Sequence, residues 1–321
     1  MSEIDIHADD YALTVHTSED ILDCIKEGKL DSISIVVNMS CFKECMELLF
    51  RAIPGLPFLP CMSIHLDFVE GNSLAGTDDV PLLTKGTDKL LRVSWGNLFI
   101  LSYHPMKRKE AKEQMKKEIK AQIEAGWQEI SHCMELARKA GIPCTQQGMR
   151  LDSHQHAHMI PVVWEALTEG IEEDKYQIES IRNSKEVLWP FLANVSLWKT
   201  YRPINFVKNR LLSFYSHKVD RYAARHAMGK MYLWGLVMSG RMDYDRIVRL
   251  FPAMKAKAEK KNRVLEFCIH PGISLPEEIT EEIGEKAAED FYLRSDRQIE
   301  KKAVMQLGSS EEFLQFRHFF R

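Results

Sequence analysis

No run of about 18 uncharged apolar residues occurs in this 321-residue chain, so a membrane-spanning helix is not expected. The opening MSEIDIHADDYAL lacks a basic segment leading into an apolar one, which argues against a secretory signal. No CxxC pair occurs among the cysteines at 24, 41, 45, 61, 133, 144 and 268, which argues against zinc-ribbon and finger sites. Their odd number and scatter suit reduced thiols in a cytoplasmic protein. No GxGxxG follows the first apolar run and no GxxxxGK[ST] occurs anywhere, so dinucleotide and P-loop readings lose their support. Nor is charge one-sided: 43 Lys and Arg face 46 Asp and Glu, for a formal net charge of -3, so bulk attraction to nucleic acid is not expected. What the chain has is apolar content, 45%, enough for a large core without disulfides.

Periodicity then orders the chain. Ile4, Ile6 and Ala8 alternate with Glu3, Asp5 and His7, a strand that delivers Asp9-Asp10 at its end. Residues 17–28 read as a helix stopped by Gly28, 32–38 as a strand, 41–51 as a helix ended before Pro54-Gly55, and 61–66 as a strand carrying His65. Residues 69–103 lack a period and read as a long loop with small elements. Residues 107–140 read as one or two helices with Gly126 a possible break. Their start, KRKEAKEQMKKEIK, is basic, but the interleaved Glu residues suit a solvated helix face rather than a nucleic-acid patch. Residues 149–158 read as extended, 159–167 as helix, 176–182 as strand, 183–260 as mostly helical and 263–270 as a strand closed by Pro271-Gly272. Strand–helix alternation predicts an α/β fold. Polar residues at successive strand ends predict a barrel-like sheet with one site at its C-terminal rim. With no repeat or composition break, 1–321 is expected to be a single domain, with 183–260 inserted in it.

Four segments bring ionisable residues to strand ends: Asp9-Asp10, His65, the run Asp152-Ser153-His154-Gln155-His156-Ala157-His158, and Glu266 with His270. If LDSHQHAH is extended, Asp152, His154, His156 and His158 share one face. Carboxylate and imidazole are the ligands of a hydrolytic divalent-metal site. Glu266 is placed to hold a neighbouring donor such as an imidazole N–H. His7, His16, His104, His132, His217, His226 and His318 carry no comparable pattern. The aromatics of 183–260, at helical spacing, suit core better than sugar stacking.

These segments resemble the YdjC-like carbohydrate deacetylase family. ADDYAL is similar to its ADDFGL motif, SIHLDF to its GxHxxLT segment, LDSHQHAHMIP to its DSHxHxH...P motif, and EFCIHPG to its late E...HPG motif, in the same order from residue 4 to about residue 304. The resemblance implies a distorted (β/α) TIM-like barrel and removal of an N-acetyl group from an acetylated amino sugar or chitooligosaccharide. It implies one divalent ion (Mg or Zn, with Mn, Co or Ni also accepted) on Asp10, His65 and His154. It makes Asp9 the general base and His270 the acid, with Arg182 near the site and His156 and His158 around the ligands or facing substrate. Base and acid are expected on opposite sides of the scissile amide. The expected partners are a small carbohydrate and a second copy in a homodimer, without nucleic acid or membrane.

Two departures from the family pattern bear on the site. Ala12 stands where the motif has glycine, so the local turn is expected to differ. Phe68-Val69 replaces Leu-Thr and is expected to reshape the pocket. Competing readings are a metal-dependent hydrolase of another amide or a phosphoester, and a non-catalytic carbohydrate-binding member. The phosphoester reading lacks a Lys/Arg cluster, Arg150 and Arg182 apart.

Overall fold

Side-chain alternation along each strand sorts two faces and so dictates the architecture. In the computed structural model, which describes residues 3–84 and 88–317, seven strands form one parallel sheet. They are β1 (Ile4–Tyr11), β2 (Ser32–Val36), β3 (Cys61–Leu66), β4 (Met149–Ser153), β5 (Ile178–Ile181), β6 (Met231–Trp234) and β7 (Val264–Ile269), in the order β5-β4-β3-β2-β1-β7-β6. Between them run α1 (Val15–Lys26), α2 (Phe42–Ala52), α3 (Trp95–Tyr103), α4 (Arg108–Ala140), α5 (Pro161–Asp174), α6 (Trp189–Ala193), α7 (Pro203–Arg225) and α8 (Tyr244–Lys260). A short α9 (Glu285–Ala287) and α10 (Asp296–Leu307) follow β7. The sheet curls into a half-barrel. Its outer strands β5 and β6 do not pair as a ladder, and Leu233 N–H reaches only the Lys185 carbonyl, at 3.0 Å.

Ile4, Ile6 and Ala8 of β1 join Ile33, Ile35, Met62, Ile64, Phe267 and Ile269 in one apolar core. The alternate residues Asp5, His7 and Asp9 join Ser32, Ser34, Asp152 and Glu266 in a polar network. A parallel sheet is normally covered on both faces; here one covering is apolar and the other side is wired with charge.

Two expectations change and one open choice is settled. The 69–103 stretch contains α3, a full helix capped by the Ser94 hydroxyl at Asn97 N–H. Arg108–Ala140 form one unbroken 33-residue helix, and Gly126 does not interrupt it. A Cβ at Gly126 would sit 2.9 Å from Ile64 and 3.0 Å from Val37, so its bareness lets α4 lie close on the sheet. The basic start of α4 faces α5: Lys112, Lys116 and Lys120 pair with Glu169, Glu173 and Asp174 at 2.6, 2.9 and 2.8 Å. Thirdly, 183–260 is largely helical but not all outside the sheet. Its last part supplies β6 and α8, leaving an excursion of roughly 183–230. The MYLW of β6 is too short and too evenly apolar for periodicity to separate from a helix. His318 lies outside the described residues.

Candidate metal centre

The site begins with a break in β1. Adjacent strand residues point to opposite faces, yet Asp9 and Asp10 both enter one pocket. The pairing of β1 with β2 slips between Ala8 and Tyr11, and Asp10 takes φ 70°. This bulge turns Asp10 back towards the rim. Ala12 also stands at positive φ, 67°, with its N–H on the Ser18 hydroxyl at 2.9 Å. The turn associated with glycine is therefore retained by alanine, contrary to expectation, at a backbone cost of about 1–2 kcal/mol.

A second break follows β4. The chain leaves the strand at Ser153 and turns through a 3-10 segment, His154–Met159, with Gln155 at φ 51° and His156 at φ 59°. The extended reading of LDSHQHAH fails there because the Ser153 hydroxyl accepts the His158 N–H at 2.8 Å and folds the chain back. The three histidines consequently part. His154 meets Asp10. His156 lies on the pocket wall with Nδ1 3.0 Å from the Ser184 hydroxyl. His158 is buried behind the site, 2.6 Å from the Ser153 hydroxyl and 2.8 Å from the Arg182 carbonyl. Burial, with Arg182 adding to it, holds His156 well below the ordinary imidazole range, and burial pushes His158 down to about 4.

Asp10, His65 and His154 bring one donor each within 4.8 Å of one another, all buried. Asp10 Oδ1 lies 3.7 Å from His65 Nε2 and 3.3 Å from His154 Nδ1, and it has no hydrogen-bond partner. A buried carboxylate oxygen left unpaired between two imidazole nitrogens fits a cation. The far sides of the ligands are held. His65 Nδ1 is 2.7 Å from Asp152 Oδ1, His154 Nε2 is 2.9 Å from the Tyr292 hydroxyl, and Asp10 Oδ2 takes Arg297 at 2.6 Å. Such outer contacts fix which imidazole nitrogen faces an ion. Burial opposes a charge on His154, but Asp67 and Asp10 raise it to about 10, so the local field favours positive charge. Further groups with ion-holding geometry are Asp9-Cys268-His270, His7-Asp9-Asp152, Asp5-His7-Glu266 and Asp67-Glu70-His154.

Asp9 accepts two hydrogen bonds from the Nη1 and Nη2 groups of Arg182, at 2.9 and 2.8 Å, and also touches His7 at 3.1 Å and the Cys268 thiol at 3.2 Å. Burial opposes its charge, yet Arg182 and His65 hold the carboxyl well below the usual carboxylate range. Arg182 is the hub of this layer, also 3.1 Å from Asp152 and 2.6 Å from Glu266. Glu266 thus holds a guanidinium rather than an imidazole. The carboxylate beside the His270 ring is Glu300, 3.5 Å from Nδ1, which also accepts the His270 N–H at 2.7 Å. His270 Nε2 lies 3.9 Å from Asp9 Oδ2. The two stand side by side, Asp9 on β1 and His270 just after β7.

The pocket above these groups holds about 350 Å³. Its aromatic wall is Trp95, Phe291 and Tyr292, whereas Phe68 is fully buried in the core and does not line it. From the excursion come Arg202, Ile204, Asn205, Lys208 and Leu212, so two cations accompany the site that spacing alone did not place there. Gly235 lies against the Cys268 carbonyl, where a Cβ would approach to 2.1 Å, which keeps this wall open. Sequence reasoning missed His7, Cys268, Tyr292, Arg297 and Glu300. For His7 and Cys268 the signal was their alternation in register with Asp9 and Glu266; for the α10 residues no local signal exists.

The chain matches the model of the YdjC-like protein family over residues 3–316. The chain belongs to the YdjC-like family. A solved structure from Enterococcus faecalis V583, described provisionally as a cellobiose-phosphate cleavage protein, is 15% identical with a TM-score of 0.58. The match covers 98% of this chain and 93% of that one, and it shows the α/β half-barrel as a shared fold. No curated protein matches the chain. The motifs of this YdjC-like chain converge on one rim: Asp9, Asp10, His65, His154 and His270 all line one pocket.

Proposed function

We propose that this chain is a metal-dependent hydrolase that removes the N-acetyl group from an acetylated amino sugar or chitooligosaccharide. The observation that carries the reading is the unpartnered, buried Asp10 Oδ1 between His65 and His154. Asp10, His65 and His154 would hold one divalent ion, Mg or Zn with Mn, Co or Ni accepted, which polarises an acetyl carbonyl and lowers the pKa of water. Asp9 is the general base. Arg182 keeps it ionised at neutral pH, the form that a base needs, while lowering its proton affinity. His270 is the acid that protonates the departing amine, with the Glu300 carboxylate 3.5 Å from its ring to orient it. Asp152 orients His65, His156 faces substrate, and His158 and Glu266 hold the frame around Arg182.

Incubating metal-stripped protein with N-acetylglucosamine oligomers, adding each ion in turn and measuring acetate tests this reading. We expect metal-dependent release, and His154→Ala should lose bound metal and acetate release together. No acetate with any ion defeats it. A second reading, phosphoester hydrolysis on the same residues, is favoured by Arg202 and Lys208 in the wall, and phosphate release from sugar phosphates would identify it. In keeping with the main reading, we take 1–321 as one domain in the cytoplasm, a setting that its seven unpaired cysteines suit. A homodimer is the expected state, to be checked by sedimentation.

A further inference from the structure

Leu74 and Ile299 apart, every large apolar side chain strongly exposed among the described residues falls in 100–106 or 189–214. Met106 is 83% exposed, Trp189 71% and Phe214 65%. α7 buries Leu212, Tyr215, Val219 and Tyr222 in the ordinary way, but its outer face is apolar too. Ile204, Val207 and Phe214 face out, while Asn205, Asn209 and Ser216 are buried. The polar residues are held inside: Asn205 donates to the Val237 carbonyl at 3.2 Å and Asn209 to the Glu186 carbonyl at 3.3 Å. The two stretches adjoin, since the Tyr103 and Tyr215 hydroxyls are 3.0 Å apart and the Phe99 and Tyr215 rings 6.2 Å. The patch also borders the pocket, whose wall includes Trp95 at the start of α3 and Ile204 of α7.

Charge selects the occupant. In a chain of net charge -3, residues 187–219 contain no Asp or Glu and five cations: Lys199, Arg202, Lys208, Arg210 and Lys218. Residues 93–109 likewise contain no acid. Exposed apolar groups interleaved with Lys and Arg, and with Trp at the margin, match the boundary of an anionic bilayer. There apolar side chains enter the acyl edge and cations meet the headgroups. A second copy fits poorly, because a two-fold contact would set this cationic face against itself.

We infer that α3 and the 189–214 segment dock this protein on an anionic lipid surface, with the pocket mouth at the bilayer. No helix among the described residues is long and apolar enough to cross a membrane; lying on one is a different demand, met by an apolar patch a few ångströms deep.

The test uses the full chain and vesicles of phosphatidylcholine, alone or mixed with phosphatidylglycerol, with binding read by flotation. The protein should float with the mixed vesicles, less so as salt rises, and should not float with phosphatidylcholine alone. Lys199→Glu with Arg210→Glu should weaken binding at least about tenfold. Trp189→Ser with Val207→Ser should do the same through the apolar contribution, with thermal melting unchanged in both. The proposal is overturned if nothing floats at low salt, or if the charge variants bind as wild type does. It is also overturned if sedimentation shows a dimer that these variants dissociate, which would give the face to a second copy. Turnover is not read, so failure here and failure of the hydrolase reading are separate results.

Discussion

The half-barrel interior and the excursion before β6 invert each other. In the first, charge is buried: Asp9, Asp152 and Glu266 surround Arg182, all within a few per cent of full burial. In the second, apolar surface is exposed, with asparagines and serine turned inward. Each departs from the usual rule of apolar in and charged out. The interior tolerates its charges because Arg182 meets Asp9, Asp152 and Glu266 and Arg150 meets Asp5, so each buried carboxylate of this layer has a counter-charge. The excursion's outer face finds no comparable covering among the described residues. Both therefore read as places where stability was not the deciding demand.

The comparison can be broken most severely at Asp9. Asp9→Asn removes the proposed base but leaves Asp10, His65 and His154 in place. We expect metal content unchanged and acetate release down about 10²–10⁴-fold; loss of metal in this variant would show that Asp9 is itself a ligand. The next largest effect is on the hub. Arg182→Met strands three buried carboxylates and should cost about 3–5 kcal/mol in denaturant unfolding. A loss under about 1 kcal/mol would mean that the network is not held by this residue.

The smallest effect sharpens the boundary between the two regions. Glu186, at the start of the excursion, accepts N–H groups from Gly235 at 2.8 Å, Leu236 at 3.1 Å and Val237 at 2.9 Å, tying the excursion to the loop after β6. Burial pushes its carboxyl up to about 7 against these bonds, from an ordinary 4.5. The folded state then binds more protons than the unfolded one. Glu186's contribution is whole below about pH 4.5 and is lost as pH rises through about 7, a change of order 1–3 kcal/mol. Melting temperature followed from pH 4.5 to 8 should show this fall, and Glu186→Gln should flatten it; an equal slope in the variant would assign the dependence elsewhere.

Much of the strand order was legible because alternation of apolar and polar residues is a local signal. Ile4-Asp5-Ile6-His7 and RVLEFCIH announce strands and their polar faces without any partner in view. Asp10, His65 and His154 were legible as candidates because they close such strands. The partners of those residues were not. Arg297 and Glu300 sit on α10, some 287 and 30 residues from the groups they touch, and nothing near them in the chain marks the role. Equal spacing in HxHxH also misled, because a serine hydroxyl ended the strand before the period could apply.

What the amino-acid sequence determined by itself was the alternating α/β order, the rim placement of its acids and imidazoles, and the family they resemble. These depend on side-chain period and residue type, which are properties of a few neighbours. The bulge at Asp10, the separation of His154 from His156 and His158, the choice of Arg182 as partner for Glu266, and the cations in the pocket wall were decided only by tertiary structure. A bulge is defined against the neighbouring strand, and a buried charge by whichever counter-charge the fold brings to it, so neither can be read from one segment alone.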